Sequence, residues 1–156
     1  MNVIAAKAVA FGEALHPNFK TYAAQILKNA KAMEVILRTS DVRMLGGGTS
    51  NHLILADVYG SLGVSGKEAE QALDEVNITL NKNAIADDTR KPFDPSGIRF
   101  GTPAITTRGF KEAECARVAE LMIEVLRNKD DVALKARVKG EIQTLAAKFP
   151  IPESFV

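Results

Sequence analysis

From Val3 to Leu15 the chain is apolar almost all round, interrupted only by Lys7, Gly12 and Glu13. From Phe19 to Leu37 it is apolar on one side only. The two stretches meet at Pro17, whose ring removes an amide donor and clashes with the preceding turn, so a helix breaks or kinks there. Phe19, Tyr22, Ala23, Ile26, Leu27, Ala30, Met33, Ile36 and Leu37 recur at spacings of three and four. That spacing predicts a helix that turns one face to a core for about five turns. Lys20, Gln25, Lys28, Lys31 and Glu34 lie off the stripe. The second helix therefore covers a core, whereas an all-round apolar helix belongs inside something larger. The first helix opens mid-pattern with no capping residue before Val3. It reads either as the centre of a small bundle or as a helix whose packing partner lies elsewhere.

Strand signals follow. Val42 to Leu45 is short and apolar, Gly46 to Gly48 form a turn, and Leu53 to Tyr59 is rich in β-formers. A triple glycine invites comparison with a phosphate loop, but such a loop leads into a helix and here a strand follows. A turn is the better reading, because glycine supplies the backbone angles that turns need. Ser65 and Glu68 stand at capping-box spacing ahead of Ala69, Ala72, Leu73 and Val76, so a short helix starts near Gly66. Ile78 to Asn83 reads as a strand, residues 84 to 97 as a long polar loop, and Ile98 to Phe100 as a strand closed by Gly101. Long ordered loops in compact domains are often functional. After a turn at Thr102 and Pro103, one helix carries Cys115, Val118, Ala119, Met122, Val125 and Leu126 on one face. A last helix carries Leu134, Val138, Ile142, Leu145, Ala146 and Phe149 and is ended by Pro150 and Pro152. Grouped strands with helices beside them predict an α+β two-layer sandwich, a small mostly antiparallel sheet covered by helices and preceded by a long kinked helix.

Composition narrows the function classes. In 156 residues, 20 Lys and Arg balance 19 Asp and Glu, which argues against a grip on nucleic acid or an acidic membrane through bulk charge. The single cysteine, Cys115, allows no disulfide within the chain and, with no signal peptide in view, fits a reducing cytoplasm. No apolar run is long enough to span a bilayer. His16 and His52 are far apart and have no cysteine near them, which speaks against a structural zinc site.

Few residues offer chemistry. In a strand, Arg99 points away from Ile98 and Phe100. If those two enter the core, Arg99 faces the other side, where its planar fork matches the two oxygens of a carboxylate. The same pattern also describes a solvated arginine on a sheet face. Asn83 stands where a strand enters the long loop. Its amide has a donor and an acceptor for the edge of a heterocycle such as a pterin, or it simply forms the turn. His52 and Asp57 form no nucleophile–base set, and Ser50 and Ser96 have no neighbouring base. Cys115 lies on an apolar helix stripe and reads as inert packing.

Five segments carry a resemblance: VIAAKAVAFGEAL at 3–15, FKTYAAQILKNAKAM at 19–33, GGTSNHLILAD at 47–57, TLNKNAI at 79–85 and SGIRFGTPAITTRGFKEAE at 96–114. Together they cover nearly the whole chain, which is similar to the C-terminal portion of serine hydroxymethyltransferase. The resemblance implies the C-terminal domain of a fold-type I enzyme that uses pyridoxal 5'-phosphate (PLP). Such enzymes pass a hydroxymethyl group from serine to tetrahydrofolate, giving glycine and 5,10-methylenetetrahydrofolate, and work in the cytoplasm as homodimers or larger homo-oligomers. It implies that residues 1–16 are a helix from the end of the large PLP domain and that 17–156 are the small C-terminal domain. It implies that Arg99 binds the amino-acid carboxylate and that Asn83 contacts the folate pterin. The loop just before the SGIR motif also approaches folate in the family. Its counterpart here is Lys91, Pro92 and Phe93, with Lys91 standing where many bacterial members have serine. The family's Schiff-base lysine lies upstream of the matching segments, so no catalytic residue is assigned in this chain. PLP is expected to be held mainly by the preceding domain, and the chain alone is expected to be inactive. A stand-alone binding or interaction domain that reuses the fold without catalysis is the alternative. A segment of a different PLP enzyme is opposed by the long SGIRFGTPAITTRG run.

Overall fold

A computed structural model of the chain describes residues 1–152. Helix α1 runs over Asn2–Leu15 and α2 over Pro17–Thr39. His16 separates them in an extended conformation and caps α2, its Nδ1 accepting from the Asn18 amide at 3.3 Å. Pro17 follows at the first helical position, where its missing N–H leaves no bond unmade. The kink expected at Pro17 is thus a full break between two helices.

Strand β1 (Arg43–Met44) leads through a tight turn at Leu45–Gly47 into β2 (Leu53–Asp57). Short helix α3 (Val58–Leu62) and helix α4 (Gly66–Asp74) come next, then β3 (Asn81–Asn83) and β4 (Gly97–Gly101). Helices α5 (Pro103–Thr107), α6 (Glu112–Arg127) and α7 (Val132–Ala147) complete the described residues. The strands form one antiparallel sheet in the order β1-β2-β4-β3. One face of the sheet, with Met44, Ile54, Ala56 and Ile98, packs on Met33 and Leu37 of α2, Leu73 of α4 and Leu121, Met122 and Leu126 of α6. Val138 and Ile142 of α7 close the core from outside. The expected α+β two-layer sandwich is therefore the observed fold.

The strand expected at Val42 to Leu45 pairs only at Arg43–Met44, the last helix stops at Ala147 rather than at Pro150, and three further differences from the sequence reading have a visible local cause. The strand from Leu53 stops at Asp57 rather than Tyr59. The Asp57 carboxylate accepts from the Gly60 amide at 2.8 Å and caps α3, and an N-cap outweighs the β-propensity of the next two residues. A Cβ at Gly60 would stand 2.5 Å from Asp57 Oδ2, so glycine is what lets that cap close. Ile78 to Leu80 are not strand. The Ile78 amide turns back to the Leu73 carbonyl at 2.9 Å, with Asn77 left-handed at φ 64, and pairing begins only at Asn81. The turn expected at Thr102 and Pro103 is helix α5, with Pro103 in its first turn. The capping box of Ser65 and Glu68 is present as read, with bonds of 2.9 and 3.2 Å.

Candidate functional site

Arg99 sits in the middle of β4, opposite Leu55 of β2 and Asn81 of β3. Residues opposite each other in antiparallel strands project from the same face. Arg99, Leu55 and Asn81 therefore share the face that the core does not use, while Ile98 on the other face is 1% exposed. Arg99 is exposed, and its guanidinium makes no hydrogen bond or ion pair among the described residues. It lines a cleft of about 600 Å³ with Lys31 and Glu34 of α2, the Gly46–Asn51 segment, Leu53 and Leu55.

The walls of that cleft are tied together by a carboxylate. Glu34 is buried and accepts from Lys31 Nζ at 2.8 Å, from Arg38 Nη2 at 2.9 Å and from the Thr49 amide at 2.9 Å. Its pKa falls to about 2, held down first by the Lys31 bond and further by the Thr49 amide and Arg38, against the cost of burial. The triple glycine is a turn: Gly46, Gly47 and Gly48 have φ of 72°, 75° and 145°. A Cβ at Gly48 would meet Glu34 Oε1 at 2.6 Å. The Thr49 amide, which could face an external anion, faces the chain's own carboxylate instead. Lys31, the lysine on the cleft, is likewise engaged by Glu34. These residues do not fit a phosphate cradle or a free lysine nucleophile for PLP.

Asn83 projects from the same face as Arg99, one pleat along β3 and opposite Gly97. It is half-buried, and its Nδ2 donates to the Ala84 carbonyl at 2.6 Å. It borders the loop rather than lining the Arg99 cleft. Between the two asparagines Lys82 turns to the other face and pairs with Glu70 at 2.5 Å.

The long loop is organised by Asp88. Its carboxylate accepts from the amides of Ile85, Arg90 and Ser96 and from Ser96 Oγ, the last at 2.7 Å. These bonds, the Ser96 amide foremost, lower its pKa to about 2. Arg90 lies 4.3 Å above the Tyr59 ring and pairs with Asp94. Lys91, Pro92 and Phe93 are exposed at the loop's tip, with Lys91 Nζ 5.7 Å from the Phe93 ring centre. Lys91 and Phe93 line a separate recess of about 430 Å³ together with Thr89, Arg90 and Asp94, and Pro92 lines neither recess. The structure thus brings Arg99 and Asn83 to one sheet face and sets residues 91–93 apart from the cleft.

The remaining candidates have structural roles. Asp57 caps α3 and pairs with Arg43 at 3.3 Å. The His52 carbonyl accepts from the Thr102 amide at 3.1 Å. Cys115 is fully buried and its thiol is pushed up to about 12 by desolvation, which suits packing rather than reaction. Among the described residues no cluster of three His, Cys, Asp or Glu could hold a metal, and no helix is long and apolar enough to cross a membrane. Glu34 is the residue that the sequence reading left on the solvent side. Its spacing of three from Lys31 and four from Arg38 was the available signal, but its bond to a loop amide has no local signature.

Comparison with known proteins adds a family to this geometry. Residues 1–122 match the family model described as serine hydroxymethyltransferase. The protein of that name from Francisella tularensis subsp. novicida (strain U112) is 54% identical over 151 residues, which is 97% of this chain and 36% of the relative. Its counterpart in Francisella tularensis subsp. tularensis (strain WY96-3418) has the same identity and coverage. That of subsp. holarctica (strain OSU18) is 53% identical, again over 97% of this chain and 36% of the relative. The chain therefore spans about a third of the length of these relatives and matches their C-terminal part.

Proposed function

This chain belongs to the serine hydroxymethyltransferase family, and on that premise we propose that it supplies the amino-acid carboxylate clamp and part of the folate site of a PLP-dependent serine/glycine hydroxymethyltransferase. The observation that carries the reading is Arg99: a guanidinium without a partner among the described residues, held by a central strand on the floor of a cleft. A planar fork so presented can bind a carboxylate bidentately, and the strand register fixes the backbone from which it reaches. Asn83, on the same face, offers its amide to the pterin of tetrahydrofolate once its bond to Ala84 is exchanged. Lys91, Pro92 and Phe93 reach folate from the loop tip, where the exposed Phe93 ring can stack on a flat heterocycle.

PLP serves such enzymes as an electron sink. We assign its binding to a large domain of the kind that precedes this segment in the longer relatives. In that arrangement residues 1–16 end the large domain, residues 17–156 form the small one, and the enzyme works as a cytoplasmic homodimer or larger homo-oligomer. The chain by itself is then inactive.

The test is a chimera in which this chain replaces the matching C-terminal part of a Francisella tularensis relative. The chimera should convert serine and tetrahydrofolate to glycine, while the 156-residue chain alone with added PLP should not. Turnover by the chain alone would overturn the division of labour. A chimera that folds and binds PLP yet cannot use serine would support the non-catalytic reading of the domain instead.

A further inference from the structure

We infer that Glu34 is a positioning residue for the Arg99 cleft: its carboxylate pins the glycine turn to α2, and by engaging the neighbouring cations it leaves Arg99 as the group that receives an incoming carboxylate. The inference rests on the reading of Arg99 as the clamp.

Two sets of contacts carry it. The first is mechanical. The Thr49 amide donates to Glu34 Oε2 at 2.9 Å, and Gly48 approaches so closely that an added Cβ would stand 2.6 Å from Oε1. The carboxylate therefore fixes where the turn lies at Gly48 and Thr49, beside a second tie in which Arg38 Nη2 donates to the Gly47 carbonyl at 2.7 Å. From there the fixing passes to the sheet: Thr49 Oγ1 donates to the Leu53 carbonyl at 2.6 Å, and the Leu53 amide donates to Asn51 Oδ1 at 2.7 Å. Leu53 begins β2, two residues before Leu55, the register partner of Arg99. A wall held at one end by Glu34 is thus bound at the other to the strand that flanks the guanidinium.

The second is electrostatic. The charged groups around Glu34 are Lys31 and Arg38 from its own helix and Arg99 across the cleft. Lys31 and Arg38 are both paired with Glu34, at 2.8 and 2.9 Å, and Arg99 is not. Without the Glu34 carboxylate, Lys31, Arg38 and the Thr49 amide would together form a second anion site beside the first. A ligand carboxylate would then divide between two positions, because a cation cluster with a free amide attracts any small anion.

The test uses the 156-residue chain with exposed Val9→Glu and Phe11→Glu changes in α1 to keep it monomeric, labelled for NMR, with glycine as the probe carboxylate and formate as a rescue anion. In this otherwise unaltered chain glycine should shift the Arg99 Nε signal and leave Lys31 and Thr49 in place. In Glu34→Ala the Thr49 amide should exchange roughly tenfold faster, the loss of about one hydrogen bond. Glycine should then shift the Lys31 and Thr49 signals as well, and formate should restore Thr49 protection. Glu34→Gln keeps an acceptor for Thr49 but no charge, so it should hold the turn while releasing Lys31. If Glu34→Ala leaves Thr49 exchange unchanged, or if protection falls equally at Leu121 in α6 and formate restores nothing, Glu34 contributes only general stability and the inference fails. If glycine never reaches Arg99 in the otherwise unaltered chain, the clamp reading falls, while the Thr49 exchange still decides whether Glu34 holds the turn.

Discussion

A single arginine shows what strand geometry can tell from letters alone. Arg99 between Ile98 and Phe100 must face away from both, and the structure puts it on the open face with Leu55 and Asn81. Two predictions belong at this scale. In the active chimera, Arg99→Lys should lower kcat/KM for serine by roughly 1.5 to 3.5 powers of ten. Lysine keeps the charge but cannot form the two-pronged bond, and truncating one member of a desolvated charge pair costs about 2–5 kcal/mol. A near-normal kcat/KM for the lysine variant removes Arg99 from the clamp. Asn83→Ala should act on the other ligand. It should weaken tetrahydrofolate by about 1–3 kcal/mol, the cost of leaving a buried polar partner unpaired, and leave serine binding nearly unchanged. Titrating each ligand separately beside a melting curve decides the matter. Equal losses for both ligands would make Asn83 a turn residue and nothing more. Glu34 was not legible in this way. Its position off the apolar stripe suggested solvent, and only the fold brings the Thr49 amide to it from the far side of the glycine turn.

Elements were legible where one physical signal ruled and blurred where two competed. The five-turn stripe of α2 and the capping box of α4 left no contest. At Asp57 the β-propensity of the residues after it competed with a cap, and the cap won because the Gly60 amide stands within reach. The link between α2 and the glycine turn has its own measurable signature. The Glu34 pKa lies below its ordinary 4.5, at about 2. The folded chain therefore binds this proton less readily than the unfolded chain. The contribution is complete above about pH 4.5 and is lost as pH falls towards 2. One pKa unit corresponds to about 1.4 kcal/mol, but Lys31 and Arg38 each have 59% of their side chains exposed. Solvent screening brings the expected contribution down to about 1–2 kcal/mol. Urea melts between pH 5 and 2.5 should thus show Glu34→Gln losing less stability than the unaltered chain over that interval. Identical slopes would mean that the carboxylate is not held as described.

At the scale of the whole molecule the question is what α1 rests on. The sequence set two readings side by side, the centre of a small bundle or a helix with its partner elsewhere, and the structure decides against the first. No residue of α1 is buried, and Val3, Ile4, Val9, Phe11 and Leu15 are 60%, 65%, 62%, 67% and 86% exposed. The rest of the chain closes its core without them, around α2, α6 and one face of the sheet. An exposed apolar helix of this kind favours association, because each large side chain withdrawn from water contributes about 1.5–3 kcal/mol when fully buried. Five such residues on one helix exceed what the helix's two charges, Lys7 and Glu13, can keep solvated. The 156-residue chain studied alone should therefore sediment as concentration-dependent oligomers at micromolar concentration. The double variant Val9→Glu with Phe11→Glu should shift it to a monomer. Because neither residue touches the core, the variant should keep the melting midpoint of the sheet and α6, followed by amide exchange at Ile98 and Leu121. If the unaltered chain stays monomeric at those concentrations, α1 is accommodated in some other way. If the double variant melts early, α1 supports the core after all, and the division between residues 1–16 and the domain that follows is misplaced.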